Sequence, residues 1–302
     1  FTSIDARVLA AIFAIFGIAP ALIGGYMQEA NIGLSAGLML IVLGMTAVTW
    51  ISSAVSTFLQ YWDFQLYEQD NSLEYERGLL NRSEGSIPLG KIQKVTLEEN
   101  LLKRLFGYAT LNIDTAGYSP KQSMQQGPEA AIPLAKKAKT LRIAENIQGI
   151  KDTEWQNISK RARIRYISRY LLISVLLVSG LYLAPVSNTQ LIPIVFVLAI
   201  ISVVGAQLKW KNKGFNSGKE HAVTVNGFWN RSTNYIPYFR VQNIIETRTI
   251  LQRKWRLSTI DIDTAGTGNI LNRTVAVDLD SEVAEKFKQE VFEKFQESLG
   301  SN

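Results

Sequence analysis

The chain has 302 residues, of which 47% are hydrophobic, and a formal net charge of +6 at pH 7. It contains no cysteine and a single histidine, His221. Disulfides and thiolate chemistry are therefore excluded, and zinc sites or Ser-His-Asp triads lack the partner residues that they need. We predict no metal site and no cofactor. At about 150 residues per domain, the length predicts two domains.

Long uncharged segments come first along the chain. Residues 8–28 and 36–58 have no charged side chain, and neither does the run 170–208, which is interrupted at Pro185. Segments of more than about 18 apolar residues are typical of membrane-crossing helices. We divide the third run into spans near 167–185 and 190–208, and predict four transmembrane helices in two hairpins. Buried core helices of a soluble protein are the alternative.

Basic residues flank the second hairpin. Five of them lie in 160–169 and three in 209–213, whereas the loops 29–35 and 186–190 have no Lys or Arg. Because Lys and Arg near span ends remain on the cytoplasmic side, we predict a multi-pass membrane protein whose soluble parts are cytoplasmic. Basic segments beside a membrane also attract anionic lipids, so membrane lipids are predicted partners.

A stretch that follows each hairpin occurs twice. Gly78–Ser83 returns as Gly227–Ser232 and Ile113–Gly117 returns as Ile262–Gly266, at an offset of 149 residues in both cases. A fixed long period marks duplicated units. We therefore expect four regions: a transmembrane hairpin in 1–60, a first soluble unit in 61–150, a basic segment with the second hairpin in 151–210, and a second soluble unit in 211–302.

Each soluble unit is predicted to hold short strands followed by one helix. Alternating or β-branched runs enter turns at Gly78 and Gly227, and the returning strands end at Pro88 and Pro237. In the second unit, apolar residues recur every fourth position and form a stripe that we expect to cover the unit's own sheet. The stripe consists of Val283, Phe287, Val291, Phe295 and Leu299.

The motifs of the first copy carry a family resemblance. In order they are Gly-Leu-Leu-Asn-Arg, Ser-Ile-Pro-Leu, Lys-Ile-Gln-Lys-Val, Leu-Leu-Lys-Arg-Leu-Phe-Gly and Leu-Asn-Ile-Asp-Thr-Ala-Gly. This pattern resembles the bacterial membrane-associated pleckstrin-homology-like (PH-like) family of YdbS/YdbT-like membrane proteins. The second copy follows it except at Lys254-Trp255-Arg256, which stand where the first copy has Leu105-Phe106-Gly107.

The resemblance implies an α+β membrane protein with two PH-like β-sheet or barrel units. Each unit is closed by a C-terminal helix and preceded by a transmembrane hairpin. Larger members of the family carry three such units. Because the chain begins at Phe1 rather than Met, we expect a fragment of a larger member.

The twin Asp114 and Asp263 raise the hypothesis of a membrane-bound hydrolase, since two-lobed aspartic proteases take one Asp-Thr-Gly from each half. Here an alanine separates Thr from Gly in both copies. Aspartate before glycine is also ordinary turn chemistry. We therefore predict no catalytic residue and no enzymatic activity.

Basic residues that recur in both copies are the candidate ligand-binding positions, because a guanidinium can bind a lipid phosphate or a carboxylate. Surface charges or ion pairs within the unit are the alternative. The six candidates are Arg82, Lys91, Arg104, Arg231, Arg240 and Arg253.

The function that these observations favour is non-enzymatic. We predict PH-like units at the inner membrane face that scaffold a protein partner or self-assemble, with tethering compensating for weak contacts. Specific binding of anionic headgroups by the matched basic residues is the second hypothesis. Nucleic acid is not a predicted partner, because the basic residues cluster beside the uncharged segments.

Overall fold

The computed structural model describes residues 32–116, 129–150, 154–182, 188–265 and 274–300. The helices described are α1 (Ile32–Gln60), α2 (Leu101–Phe106), α3 (Lys137–Gln148), α4 (Lys160–Tyr182), α5 (Asn188–Lys211), α6 (Ile250–Lys254) and α7 (Ser281–Gly300). The strands of the first copy are β1 (Gln65–Gln69), β2 (Ser72–Arg77), β3 (Ser83–Pro88), β4 (Ile92–Asn100), β5 (Tyr108–Thr115) and β6 (Glu129–Lys136).

The strands of the second copy follow a short additional strand, β7 (Gln156–Asn157). They are β8 (Gly214–Ser217), β9 (His221–Gly227), β10 (Asn230–Pro237), β11 (Val241–Thr247), β12 (Leu257–Thr264) and β13 (Thr274–Asp280). Single turns of 3-10 helix, Leu89–Lys91 and Tyr238–Arg240, follow β3 and β10. The contacts described below lie within one compact unit, Leu66–Tyr75, Glu84–Ser174 and Val197–Asn302, except for those of residues 76–83, which belong to the other unit.

Elements of the two copies keep the offset of the sequence repeat. Strand β5 at Tyr108–Thr115 corresponds to β12 at Leu257–Thr264, 149 residues further on at both ends. By the same offset, β3 and β4 of the first copy correspond to β10 and β11 of the second. The duplication seen in the sequence is therefore also a duplication of structure.

Both copies require glycine at the turn that opens the repeat. The φ angles of Gly78 and Gly227 are +108° and +143°, outside the range of ordinary L residues. A Cβ atom on Gly227 would lie 1.9 Å from the carbonyl oxygen of Asn230, and one on Gly78 would lie 2.2 Å from that of Asn81. The backbone thus folds back too closely for any side chain.

The strands are arranged in three sheets. Two have three strands each, in the orders β1-β2-β3 and β11-β12-β13, and the third has seven strands in the order β6-β5-β4-β10-β9-β8-β7. The seven-stranded sheet is continuous across the two copies, because β4 of the first copy pairs antiparallel with β10 of the second. We call this β4–β10 pair the seam.

The seam is held by buried polar side chains as well as by its backbone. In its register Glu99 lies opposite Arg231 and Thr96 opposite Asn234. The Thr96 hydroxyl donates to Oδ1 of Asn234 at 3.0 Å, and Nδ2 of Asn234 donates to the hydroxyl of Thr224 on β9 at 3.2 Å. These bonds satisfy buried polar groups that are costly to leave unpaired.

The second copy has its own core between helix α7 and the strands. Ala284, Phe287 and Val291 are buried, and the rings of Phe287 and Phe215 meet edge to face at 5.0 Å. In the predicted stripe, Phe287 and Val291 are buried and Phe295 packs partly against this core. Val283 and Leu299 at the two ends are exposed. Helix α7 therefore covers the strands of its own copy with a shorter apolar face than the sequence predicted.

The predicted four transmembrane helices require a correction. Among the residues that the structure describes, no helix is both long and apolar enough to cross a membrane. Helix α4 has 23 residues, but five of its first ten are Lys or Arg. Helix α5 contains Pro193 and ends with Lys209 and Lys211. The predicted span 8–28 lies outside the described residues, and for the part of the chain described the prediction is wrong.

Candidate functional site

Three of the six candidate basic residues are exposed at the surface. Arg82 is exposed and pairs with Glu76. Lys91 closes the 3-10 turn after β3, and Arg253 lies on the exposed side of α6. These three residues lie on separate segments of the structure.

The other three make contacts that join the copies. The guanidinium of Arg240, in the second copy's 3-10 turn, donates to the carbonyl oxygen of Gly90 in the first copy's turn. It also lies over the ring of Phe239, 4.8 Å from the ring centroid. Lys91, the counterpart of Arg240 by the offset, stands beside this carbonyl. The matched positions are thus used asymmetrically.

Arg231 makes the central ion pair of the seam. Its Nε donates to Oε2 of Glu99 at 3.1 Å, a second guanidinium nitrogen donates to the same oxygen, and Nζ of Lys137 lies 3.8 Å from Oε1. The indole of Trp155 lies 5.3 Å from the guanidinium carbon. Because Glu99 is almost fully buried, this pair fixes the register of the two copies.

Arg104 approaches the same cluster from helix α2. Its Nη1 donates to Oδ1 of Asn212 at 2.8 Å, and Asn212 in turn donates to the carbonyl oxygen of Phe228 at 3.0 Å. Burial lowers the pKa of Arg104, the nearby Arg231 lowers it further, and Glu99 opposes both effects. Among the six predicted residues, Arg104 and Arg231 lie close enough to interact electrostatically, and both are engaged in contacts between the copies.

The two copies differ at the strand edge that the seam occupies. Strand β4 is covered by β10, whereas its counterpart β11 is an edge strand that pairs only with β12 among the described strands. As a result, Thr96 on β4 is 7% exposed and its counterpart Ile245 on β11 is 41% exposed. We call the uncovered side of β11 the open edge. Exposed strand edges are a template for pairing with another chain.

The twin aspartates of the hydrolase hypothesis lie in different sheets. Asp114 is on β5 of the seven-stranded sheet, where Oδ2 lies 2.9 Å from Nζ of Lys94 on β4. Asp263 is on β12 of the separate three-stranded sheet. Asp114 is therefore engaged in an ion pair of the first copy.

A second charged cluster went unpredicted. Asp278 on β13 is fully buried, has a left-handed φ of +63°, and accepts hydrogen bonds from Arg165, from the Tyr166 hydroxyl and, at 2.8 Å, from Nε2 of Gln252. The sequence placed Arg165 among residues that set topology and placed Asp278 within an ordinary strand. Only the dense basic residues at the start of α4 and at the end of α5 signalled this cluster.

Two lysines border this cluster. Nζ of Lys209 lies 5.2 Å from the ring centroid of Tyr166, and Nζ of Lys213 lies 5.6 Å from it. Burial lowers the pKa of Lys213 to about 8, with further lowering by Lys209 and Arg165 and opposition from Asp278. The pKa of Lys209 is also lowered, first by burial and then by Arg169. The cluster therefore concentrates positive charge on side chains that are partly shielded from solvent.

Comparison with known proteins agrees with the duplicated architecture. A model described as "Bacterial PH domain" matches residues 7–151 and again 171–295. Over 254 residues the chain is 24% identical to the transmembrane protein YdbT of Bacillus subtilis (strain 168), which covers 83% of this chain and 50% of the relative. The chain thus spans about half the length of that protein. No solved structure matches the present chain. With both copies matched, the chain belongs to the bacterial PH domain family, as two tandem YdbT-like units.

Proposed function

We propose that this protein is a non-enzymatic scaffold at the cytoplasmic face of the bacterial cell membrane, and that it docks a strand of a partner protein on the open edge of β11. The proposal rests on a difference between the two copies of this chain. The equivalent edge, on β4, is occupied by a strand of the neighbouring copy. The membrane setting rests on the relative that is named a transmembrane protein and on the basic residues around α4 and α5.

The contacts of four of the six matched basic residues favour a scaffold over headgroup binding at those positions. Arg104, Arg231 and Arg240 are engaged in contacts that join the copies, and Arg82 pairs with Glu76. Ion pairing of Asp114 with Lys94 likewise disfavours the hydrolase hypothesis. We therefore assign binding to the strand edge and propose no catalytic role.

The seam supplies the register that a docked strand would take. Adding 149 to the β4 residue numbers transfers the β4–β10 pairing to β11. In that register, the residue of a docked strand that corresponds to Arg231 lies opposite Arg248, and the residue that corresponds to Asn234 lies opposite Ile245. Arg248, the residue after β11, is exposed and pairs with Glu246 on that strand. A partner strand should therefore carry an acidic residue opposite Arg248, since opposite charges across strands stabilise pairing.

A charge-swap experiment tests this docking. Two labelled peptides would be used, one with the β10 sequence of residues 230–237 and one in which glutamate replaces its arginine. We expect the full chain to bind the acidic peptide about fivefold more tightly by fluorescence anisotropy, because one cross-strand charge pair contributes up to about 1 kcal/mol. The R248E variant should reverse this preference.

The control is R253E, which changes an exposed basic residue outside the open edge. It should leave the preference of the unmodified chain intact. Equal binding of both peptides to the unmodified chain and to R248E would refute docking at this edge, and so would binding of neither peptide.

A further inference from the structure

The cluster around Tyr166 has more positive charge than its one buried carboxylate can pair. Lys209 lies in the last turn of α5, Lys213 follows the helix, and Arg165 and Tyr166 face them from α4. Arg169 on α4 acts electrostatically on Lys209. Asp278 is the acidic group that acts on Lys213.

Both carboxylate oxygens of Asp278 are already engaged by other donors. Its Oδ2 accepts from Arg165 and from the Tyr166 hydroxyl, and its Oδ1 accepts from Gln252. It therefore attracts Lys213 only from beyond ion-pair distance. The neighbouring Asp280 is taken as well, because it accepts from Ser159 at 2.8 Å and pairs with Arg161 at 3.4 Å.

Lys213 is consequently a largely buried residue without an ion-pair partner among the described residues. It is 8% exposed, and its ammonium lies over the face of the Tyr166 ring. Lys209 is half-buried in the same situation, lying over Tyr166 and, at 5.6 Å, over Tyr170. Burying an ammonium is costly unless it is paired and hydrogen-bonded. The geometry calls for an anion between the two lysines.

We propose that Lys209 and Lys213 bind a phosphate group, with the Tyr166 and Tyr170 rings as the wall of the site and Arg169 at its entrance. Two ammonium groups supply donors that suit the several oxygens of a phosphate. The charged groups that face Lys213 from the packed elements are Arg165 and Tyr166 on α4, Lys209 on α5 and Asp278 on β13.

The surroundings favour the phosphate of a phospholipid over the free ion. Apolar side chains are exposed further along α4 and α5, on the two helices that carry the site, as would suit acyl chains: Leu172, Ile173, Ile201 and Val204. This site is separate from the open edge of β11, so its failure and the failure of peptide docking are independent results.

Calorimetric titration of the full chain tests the site. The probes are inorganic phosphate, dihexanoyl phosphatidic acid, and the same diacyl chain without phosphate, dihexanoyl glycerol. We expect the phospholipid to bind, and K213M and K209M each to weaken binding by at least about 30-fold, as when one member of a buried charge pair is truncated. Binding should also weaken as the pH rises above about 8, where Lys213 loses its proton.

Two controls separate a binding role from a structural one. K211M removes an exposed lysine of the same helix end and should leave affinity unchanged. K213R keeps the charge and should retain most of the binding, and both Lys213 variants would be checked for an intact fold by circular dichroism. Phospholipid binding without phosphate binding identifies a lipid site, and binding of both identifies a general phosphate site. Equal binding of the phosphate-free lipid, or unchanged affinity in folded K213M, would overturn the proposal.

Discussion

At the scale of single residues, Asp278 and Asp280 make a matched pair, since both are strand carboxylates bound to arginines of α4. Asp278 is fully buried, whereas the Asp280 and Arg161 side chains are 38% and 53% exposed. We expect D278N to lower the free energy of unfolding by about 3 kcal/mol, because it leaves Arg165 as an uncompensated charge in a mostly buried position. Asparagine also tolerates the left-handed backbone, so strain does not confound the result.

D280N is the control and should cost about 1 kcal/mol or less, as exposed pairs do. Urea denaturation of both variants measures the difference. Equal costs for the two substitutions would mean that the buried cluster does not depend on its charge.

The sequence predicted part of this residue-scale chemistry. Arg104 and Arg231 were identified because they recur in both copies, and they do meet. What they contact was beyond prediction, because the Glu99–Arg231 pair depends on a strand pairing between residues 132 apart in sequence. Lys209 and Lys213 were noticed, but as topology signals. Their pairing state depends on Asp278, whose left-handed conformation no pattern in the chain announces.

At the scale of elements, the short helices α2 and α6 end in the same turn with different residues. Gly107 after α2 has φ +69°, and Arg256 after α6 takes φ +53° without glycine. The missing glycine therefore did not change the turn. A Cβ atom on Gly107 would meet nothing within 4 Å, so any cost of a side chain there is conformational.

Substitutions at Gly107 and Arg256 should have opposite effects on the free energy of unfolding. G107A should lower the free energy of unfolding by about 1 kcal/mol, the cost of a left-handed L residue. R256G should raise it by about 0.5 kcal/mol, because relief of that strain exceeds the entropy that glycine loses on folding. Thermal or urea denaturation checks both signs, and a stabilising G107A would show that the turn is not strained.

Glycine and proline made the elements predictable. The structure has the predicted turns at Gly78 and Gly227, and strands β3 and β10 end as predicted at Pro88 and Pro237. The third uncharged run was misjudged because charge was counted within the run rather than along the whole helices that contain it. Helix α4 begins at Lys160 and includes the basic residues that the predicted span left outside.

At the scale of the whole molecule, the seam predicts joint unfolding of the strands of both copies. The seven-stranded sheet is continuous through β4 and β10, and cooperative units tend to follow continuous structure. We expect calorimetry of the full chain to show one transition for this sheet, with R231M shifting it as a whole. Two separate transitions, only one of them moved by R231M, would show that the copies unfold independently.

The seam also bears on whether the same strand pairing could be repeated between molecules. It pairs two different edges, β4 of one copy and β10 of the next, so it has no two-fold axis and, repeated between molecules, it would extend head to tail into a ring or an open fibre. Between two chains, however, the same register would set Arg82 against Arg248 and Glu84 against Glu246. Like charges at both positions oppose that pairing. The like charges at these positions thus oppose fibre formation through the strand pairing that unites the two copies.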